Sequence, residues 1–431
     1  MYCNTYIYVF IGEGNNMSFV KKVSLLLVII LLLYTCSACK SQDTSSNSVG
    51  MTEEELLAQI KNEASKNNGN LSSPDDSQEN SSGKVVDIMN VKIGVVSPTI
   101  NQSLLLANDT VYNWSKSYTV KSSESHHNSG DIFACKSVTF EWSCNEKPEY
   151  YTLKVGTSKS LEGANSFKLL TNKFEIYNIF VGKKYYWQVI ANYANGEVAS
   201  DVFTFETVQS PRTMQLYGVS NTRDIGGYIT ESGKRVKQGM IYRGAVLDGI
   251  KDSALYTALT DYGIKTDLDL RKANEGSAGT SSPLGGTVNY IHVPSPYYLG
   301  QTTTGINNPE NWPALKQIFE VFADSGNYPI MMHCSLGRDR TGNIAMILSG
   351  LLGVSKKDIL LDYELSFFSY TGCQDKASVD HLVSQIEKTY NYIESNYGSA
   401  GDSFSTRVEK FLLNVGVSQE KINAIKSNLL E

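Results

Sequence analysis

Hydrophobic and polar positions divide this chain of 431 residues into four segments with different patterns. An apolar run near the N-terminus is followed by a polar stretch rich in Ser, Asn, Asp and Gln. Short alternating runs come next, and strand-like runs interleaved with helix-like runs complete the chain. We therefore predict four units with boundaries at 1–39, 40–88, 89–210 and 211–431.

The first unit has the pattern of a signal peptide. Lys21 and Lys22 precede an apolar core, Val23 to Tyr34, which is too short to span a bilayer comfortably. Small residues then precede Cys39, and this ending resembles a bacterial lipobox with Cys36 where leucine is usual. The resemblance implies that Cys39 is lipidated and that the protein is exported and anchored at the extracellular or periplasmic face of the cell membrane. A simple cleaved signal and an uncleaved anchor are the alternatives.

Residues 40–88 are too polar to bury the apolar surface that a folded unit needs. We predict a disordered tether between the anchor and the rest of the chain.

The unit 89–210 shows short alternating runs separated by turn residues, a pattern typical of an antiparallel β-sandwich. Strands are predicted at Ser137 to Ser143, Tyr150 to Val155, Lys173 to Ile176, Lys184 to Tyr193 and Ala199 to Glu206. The first, second and fourth of these resemble strands of fibronectin type III domains. Residues 91–130 fit that pattern poorly and are predicted to hold an irregular first strand with an inserted loop.

The unit 211–431 alternates strands and helices, which predicts an α/β domain with a central, mostly parallel sheet. Strands are predicted at Ile264 to Arg271 and Tyr328 to Met332, with a further short strand at Ile291 to Pro294. Helices are predicted at Asp252 to Tyr262, Pro313 to Ala323, Ile344 to Leu352, Ser378 to Asn396, Thr406 to Asn414 and Gln419 to Leu430. The long Gly-, Ser- and Thr-rich segment 272–312 has the length of a lid over a site, and Tyr297 and Tyr298 within it are candidate substrate contacts.

The net charge limits the classes of molecule that the chain can attract electrostatically. Lys and Arg total 38 against 44 Asp and Glu, a net charge of −6, so the chain presents no overall field for nucleic acid.

The candidate chemistry lies in the ten residues from His333 to Gly342, where Cys334 and Arg340 enclose five residues between a predicted strand and a predicted helix. Unpaired N–H groups and the positive end of the helix dipole favour a phosphate dianion there, and the same field favours the nucleophilic thiolate of Cys334. The planar fork of Arg340 can hold two phosphoryl oxygens at once.

The remaining loop residues suit phosphate binding. Ser335, Leu336, Gly337, Arg338 and Thr341 are the predicted phosphate-binding positions, and we expect Thr341 to donate its hydroxyl to the sulfur.

If the Cys334 thiolate takes a phosphoryl group from a substrate, an acid must protonate the substrate oxygen that leaves phosphorus. Asp339 inside the loop and Asp269 at the end of a neighbouring strand are both candidates, with Asp269 alternatively orienting an arginine. We expect Asp267 to face solvent.

This loop resembles the His-Cys-x-x-Gly-Lys-Asp-Arg-Thr-Gly loop of a bacterial tyrosine-phosphatase family that includes secreted dual- and lipid-specific members. Arg338 stands where that family often has lysine. Upstream, 221–227 (Asn-Thr-Arg-Asp-Ile-Gly-Gly) and 239–243 resemble two further family motifs in the expected order, and 361–366 resembles the family's following helix. We expect Arg223 and Asp224 to form structural salt bridges beneath the loop.

The resemblance implies a cysteine phosphatase that forms a cysteinyl-phosphate intermediate and needs no metal or other cofactor. It implies phosphotyrosine or dual-specificity protein substrates, or phosphoinositides, and the extra charge of Arg338 would suit multiply phosphorylated ligands. The alternative is a surface adhesin lipoprotein whose phosphatase-like unit binds phosphate without turnover.

Overall fold

The computed structural model describes residues 86–123, 135–209, 211–370 and 375–431, which all belong to one compact unit. The predicted signal peptide, including Cys39, and nearly all of the predicted tether lie outside the described residues and stay predictions. Within the described ranges, no helix is both long enough and apolar enough to cross a membrane.

The N-terminal part of the described chain is rich in strands. They are β1 (Ile93–Ser97), β2 (Gln102–Leu104), β3 (Val138–Cys144), β4 (Tyr150–Gly156), β5 (Asn165–Leu169), β6 (Lys173–Ile176), β7 (Lys184–Tyr193), β8 (Gly196–Ala199) and β9 (Phe203–Thr207). One sheet has the order β1-β3-β6, and the other has the order β2-β9-β7-β4-β5 with β8 paired to β7. All pairs are antiparallel except β2 with β9.

Side chains from both sheets form a single apolar core. Phe140 and Trp142 of β3 are fully buried with Trp187 of β7 and Phe205 of β9. Alternate residues of these strands point inward, which is the period-2 pattern that predicted them. The strand predicted at 199–206 begins only at Phe203, as β9, because Ala199 is the last residue of the separate strand β8.

The region predicted to hold only an irregular strand contains β1, β2 and a helix, α1 (Asp109–Lys116). Val111 of this helix and the following Tyr118 are buried in the core of the C-terminal part, against which Trp114 also packs. The boundary placed at 211 therefore does not separate the two cores, since an N-terminal helix completes the C-terminal one.

The C-terminal part contains a five-stranded sheet. Its strands are β10 (Arg223–Asp224), β11 (Ile241–Gly244), β12 (Thr266–Asp269), β13 (Asn289–His292) and β14 (Ile330–His333), in the order β10-β11-β14-β12-β13. Only the edge pair β10 with β11 is antiparallel. The predicted mostly parallel sheet in an α/β arrangement is confirmed.

Seven further helices accompany this sheet in the described residues. They are α2 (Asp252–Tyr256), α3 (Trp312–Ala323), α4 (Asp339–Leu352), α5 (Lys356–Glu364), α6 (Lys376–Asn396), α7 (Phe404–Val415) and α8 (Gln419–Leu429). The helix predicted from Asp252 ends early at Tyr256 and continues as a wider π-type turn, 257–261. Ser418 caps α8, because its side chain accepts from the N–H of Lys421.

The sheet brings the candidate residues to one edge. β14 lies between β11 and β12, and all four of its residues are buried. Asp269 is in register with His333, so β12 and β14 end at the same edge of the sheet. Ligands of parallel α/β sheets bind outside the carboxyl ends of the strands, and this edge is where the Cys334 loop begins.

Candidate active site

Cys334 follows the last residue of β14, and the loop that it opens leads directly into α4 at Asp339. Its side chain is a free thiol and the residue is only 2% exposed. A cavity of about 250 Å³ lies over it and is lined by Glu275, Tyr297, Cys334, Ser335, Leu336, Asp339 and Arg340. The structure thus brings Cys334, Arg340 and Asp339 together in one cavity.

Hydrogen bonds from the scaffold hold the loop by its carbonyl oxygens. Ser335 O accepts from Val246 N (3.1 Å), Leu336 O from Asn221 Nδ2 (3.0 Å) and Gly337 O from Arg243 Nη2 (2.7 Å). Within the described part of the chain, the N–H groups of residues 335–337 donate to no protein acceptor. These donors, beside the N-terminus of α4, suit an anionic ligand.

The two glycines of the loop serve different purposes. Gly337 has a φ of +67°, and a Cβ there would lie 2.3 Å from Gly244 O, so the loop requires glycine at this turn. A Cβ at Gly342 would lie 2.8 Å from the ring of Tyr363, so this glycine makes room for an aromatic ring rather than for a ligand.

Arg340 is held by a carboxylate that the sequence did not suggest. Its Nη1 and Nη2 donate to the two oxygens of Glu275 at 3.0 and 2.7 Å, and Ser335 Oγ donates to the same carboxylate at 2.6 Å. The hydrogen bonds from Arg340 lower the pKa of Glu275. Arg340 Nε is buried and has no hydrogen-bond partner among the described residues, which leaves it available as a donor.

An aromatic ring flanks the same guanidinium. The ring centroid of Tyr297 lies 5.1 Å from the Arg340 guanidinium carbon. Tyr298, considered with it as a substrate contact, is fully buried and donates its hydroxyl to Asn311 O, away from the cavity.

The structure separates the two candidate acids. Asp339 lines the cavity and is 7% exposed, whereas Asp269 is fully buried and is not part of the lining. Asp269 accepts hydrogen bonds from Arg271 Nε (3.0 Å) and Nη2 (2.8 Å) and from Tyr290 (2.9 Å). Burial alone would raise the pKa of Asp269, but hydrogen bonds from Arg271 outweigh it and hold the pKa low. Asp269 therefore orients Arg271, the alternative role considered for it.

Two of the predicted phosphate-binding side chains, those of Arg338 and Thr341, do not line the cavity. Arg338 donates to both oxygens of Asp339 and its guanidinium carbon lies 5.7 Å from the ring centroid of Phe367, so it pairs with the loop's own carboxylate and does not line the cavity. Thr341 Oγ1 is buried without a hydrogen-bond partner among the described residues, so the expected bond to the Cys334 sulfur is not made in this structure.

Beneath the loop, one carboxylate joins two arginines. Asp362 accepts from Arg223 Nε at 2.8 Å and is paired with Arg243, which in turn donates to the loop carbonyl of Gly337. Burial opposes the ionisation of Asp362, but the two positive charges outweigh it and lower its pKa. Burial and the charge of Arg223 lower the pKa of Arg243 to about 10.

Of the two residues predicted to form salt bridges beneath the loop, Arg223 does so, whereas Asp224 pairs beside the strand-rich part, where Arg212 also donates to Ile179 O. Arg223 pairs with Asp362, and Asp224 pairs with the buried Arg212.

The strand residue Asp267 was expected to face solvent, and that expectation is wrong. Its carboxylate is fully buried, accepts from Ser282 Oγ at 2.7 Å and lies 2.9 Å from His333 Nε2. The last contact has the distance of an ion pair without the alignment of a hydrogen bond. Burial favours the neutral imidazole, but the charge of Asp267 raises the pKa of His333 above its usual value. All four residues of β12 are buried, so both faces of this strand are covered and alternation does not expose this side chain.

Sequence reasoning missed Glu275 altogether, and it did not place Tyr297, a candidate substrate contact, beside Arg340. Both lie in the segment 272–312, which shows no motif and no periodicity that would mark them. Asp362 belongs to the segment 361–366 that resembled a family helix, so its position carried a signal although its partners did not.

Comparisons with known proteins agree with this geometry. The sequence profile of the tyrosine phosphatase family matches residues 214–431. A Cupriavidus necator protein named among the tyrosine-protein phosphatases is 28% identical over 178 residues, which cover 36% of this chain and 64% of the relative. The tyrosine-protein phosphatase of Nostoc commune is 28% identical over 202 residues, or 40% of this chain and 68% of its own. This chain therefore spans just under two thirds of the length of the first relative.

Among solved structures, the core catalytic domain of the PP-IP phosphatase SIW14 from S. cerevisiae, in complex with citrate, is 17% identical. The match covers 39% of this chain and 93% of that domain with a TM-score of 0.23. The family profile covers half of the chain, including the loop, its flanking strands and the helices behind them, and on that basis the chain belongs to the tyrosine phosphatase family.

Proposed function

We propose that this protein is a cysteine-dependent phosphatase that hydrolyses phosphate monoesters. The observation that carries the proposal is that Cys334, Arg340 and Asp339 line one cavity at the N-terminus of α4. Nucleophile, phosphoryl-binding fork and acid are the three groups that this reaction needs. Family membership supports the same reaction class.

The residues act in two steps. The Cys334 thiolate attacks phosphorus, and the bond from phosphorus to the leaving oxygen breaks while Asp339 gives that oxygen its proton. Water then attacks the cysteinyl-phosphate, Asp339 takes a proton from the water, and the sulfur leaves as a thiolate with release of inorganic phosphate. Arg340 and the loop N–H groups hold the other phosphoryl oxygens, where negative charge accumulates in both transition states.

The substrate is proposed to carry a single phosphoryl group at the reacting position, on a protein or a lipid headgroup. Arg340 is the one basic residue among those that line the described cavity. Arg338 lies outside this lining, and its charge is paired with Asp339. This arrangement does not support the expectation that Arg338 recruits multiply phosphorylated ligands. The ring of Tyr297 beside Arg340 favours an aryl phosphate such as phosphotyrosine.

The cellular setting is also a proposal. We infer that Cys39 carries a lipid that anchors the exported protein, that residues 40–88 form a tether, and that the strand-rich part is a fibronectin type III-like domain. The lipobox-like sequence supports the anchor, and the two-sheet strand order with its shared aromatic core supports the domain. Replacement of Cys39 by Ala should abolish fatty-acid labelling in a bacterial host, whereas Cys36→Ala should not.

Turnover of a substrate panel by the full chain tests the proposed reaction. The panel contains p-nitrophenyl phosphate, phosphotyrosine and phosphoserine peptides, phosphoinositides and inositol hexakisphosphate. We expect hydrolysis, strongest for aryl phosphates, that Cys334→Ser abolishes and that Cys144→Ser leaves intact, since Cys144 is a free thiol in β3. Phosphate binding without turnover of any compound would contradict the proposal and favour the non-catalytic adhesin.

A further inference from the structure

The segment 361–366 resembles a family helix, yet the proposed reaction assigns no role to Tyr363, which lies at its centre. Tyr363 is 1% exposed and packs edge-on against Phe367, with ring centroids 6.0 Å apart. Its ring also fills the space above Gly342, on the first turns of α4. The phenol is therefore held in one place beside the helix that begins with Asp339.

The hydroxyl of Tyr363 reaches the carboxylate of Asp339. It donates to Asp339 Oδ1 at 3.1 Å, and Arg338 Nε donates to the same oxygen at 3.0 Å. Asp339 Oδ2 accepts from Arg338 Nη2 at 3.1 Å. A carboxylate oxygen offers about two lone-pair positions, so two donors occupy Oδ1 and the proton of a carboxylic acid has its place on Oδ2.

The residues on either side of Tyr363 are anchored as well. Asp362 holds Arg223 and Arg243 beneath the loop. Glu364 is fully buried and accepts four hydrogen bonds from the segment 118–123: Tyr118 Oη (2.8 Å), Lys121 N (2.7 Å), Ser123 N (3.2 Å) and Ser123 Oγ (2.8 Å). Both anchors restrict the turn that presents the Tyr363 hydroxyl.

We propose that Tyr363 is a positioning residue for the general acid Asp339, an inference that rests on the proposed phosphatase reaction. By donating to Oδ1, the phenol keeps the carboxyl group in one orientation and directs the proton to Oδ2, from which it passes to the leaving oxygen. The contribution of Tyr363 therefore grows with the need of the leaving group for a proton.

Two aryl phosphates with the same ring and different leaving groups test this role. The p-nitrophenolate ion leaves with little help from an acid, whereas phenolate, whose conjugate acid has a pKa of about 10 like tyrosine, needs a proton. For Tyr363→Phe we expect kcat/KM for phenyl phosphate to fall roughly tenfold, and kcat/KM for p-nitrophenyl phosphate to fall threefold or less. Tyr390→Phe, which removes another buried phenol of the same part of the chain, should change neither value.

A double-mutant cycle sharpens the assignment. Asp339→Asn should show the same preference for p-nitrophenyl phosphate, and adding Tyr363→Phe to it should not increase that preference further, because the two residues act as one unit. Equal losses on both substrates in Tyr363→Phe, or no loss, would overturn the positioning role while the phosphatase reaction stands. A wild-type protein that hydrolyses neither substrate would instead remove the proposed function itself.

Discussion

The pairs beneath the loop, here called the floor, and the cavity side chains around Arg340, here called the rim, both place a carboxylate against arginine, but in opposite surroundings. On the floor, the side chains of Arg223, Arg243 and Asp362 are at most 10% exposed. On the rim, the Glu275 side chain that forms a salt bridge with Arg340 is 26% exposed and belongs to a long connecting segment. Buried pairs cannot lose one partner without leaving an uncompensated charge, whereas water can replace a partner at the rim. We infer that the floor fixes the shape of the loop and that the rim contacts bound ligands.

Removal of the floor carboxylate should have the largest effect. Asp362→Asn leaves the charges of Arg223 and Arg243 buried without their shared counter-charge, so we expect the free energy of unfolding to fall by about 3–5 kcal/mol. Urea denaturation followed by circular dichroism measures it. Asp380→Asn, which removes an exposed partner of Lys376 on α6, should change it by less than about 0.5 kcal/mol. A similar small change for both variants would mean that the floor pairs contribute no more than a surface pair.

Acid should weaken the floor in the same way. Because the pKa of Asp362 is lower in the folded than in the unfolded chain, its stabilising contribution is present above about pH 4, the ordinary range of aspartate, and is lost as the pH falls through the folded value. The difference in unfolding free energy between wild type and Asp362→Asn should therefore be largest near neutral pH and shrink below about pH 4. A difference that stays constant between pH 7 and pH 3 would show that the ionisation of Asp362 is not involved.

The rim carboxylate should affect catalysis more than stability. Glu275→Gln removes the charge that orients Nη1 and Nη2 of Arg340, so we expect kcat/KM to fall roughly tenfold while the free energy of unfolding changes by less than about 1 kcal/mol. Steady-state kinetics and urea denaturation measure the two quantities, with the exposed Glu310→Gln as the charge-matched control. Tighter binding of inorganic phosphate by the variant would contradict this expectation and show that Glu275 competes with phosphate for the guanidinium.

The aromatic rim residue should have the smallest effect. Tyr297→Ala removes a ring that is 38% exposed, and we expect KM for p-nitrophenyl phosphate to rise about threefold with little change in kcat, because in the proposed complex the ring would contact the leaving group and not the reacting atoms. Tyr256→Ala, at an exposed tyrosine on α2, is the control. An unchanged KM would indicate that Tyr297 does not contact the substrate.

Local sequence patterns predicted most of the architecture. The runs that alternate with period 2 became β3, β4, β6 and β7, and the helical runs near the C-terminus became α6, α7 and α8 within a few residues of their predicted ends. The short spacing of Cys334, Asp339 and Arg340 was also enough to predict that they lie close together. Only five residues separate Cys334 from Arg340 at the junction of a strand and a helix, so the loop between them must be short. These features depend on residues that are close in the chain.

The predictions were wrong or incomplete where a side chain pairs with residues that are far from it in the sequence. Asp362 meets Arg223 across 139 positions, and Glu364 meets Tyr118 across 246. Asp267 was assigned to solvent because an alternating strand can have an outer face, but all four residues of β12 are buried, so both of its faces are covered. Arg338 was assigned to the ligand because of its position in the loop, although its neighbour Asp339 offers a closer counter-charge.

The order of residues along the chain was enough to predict an α/β fold and the strand–loop–helix segment that holds Cys334 and Arg340, since propensity, periodicity and motif spacing are local properties. The tertiary structure alone placed Asp339 and not Asp269 in the lining of the cavity, brought Glu275 and Tyr297 beside Arg340, and set Tyr363 against Asp339. Each of these outcomes depends on which surfaces pack together and which charges become buried. Both are properties of the folded chain as a whole, where distant residues compete for the same partner.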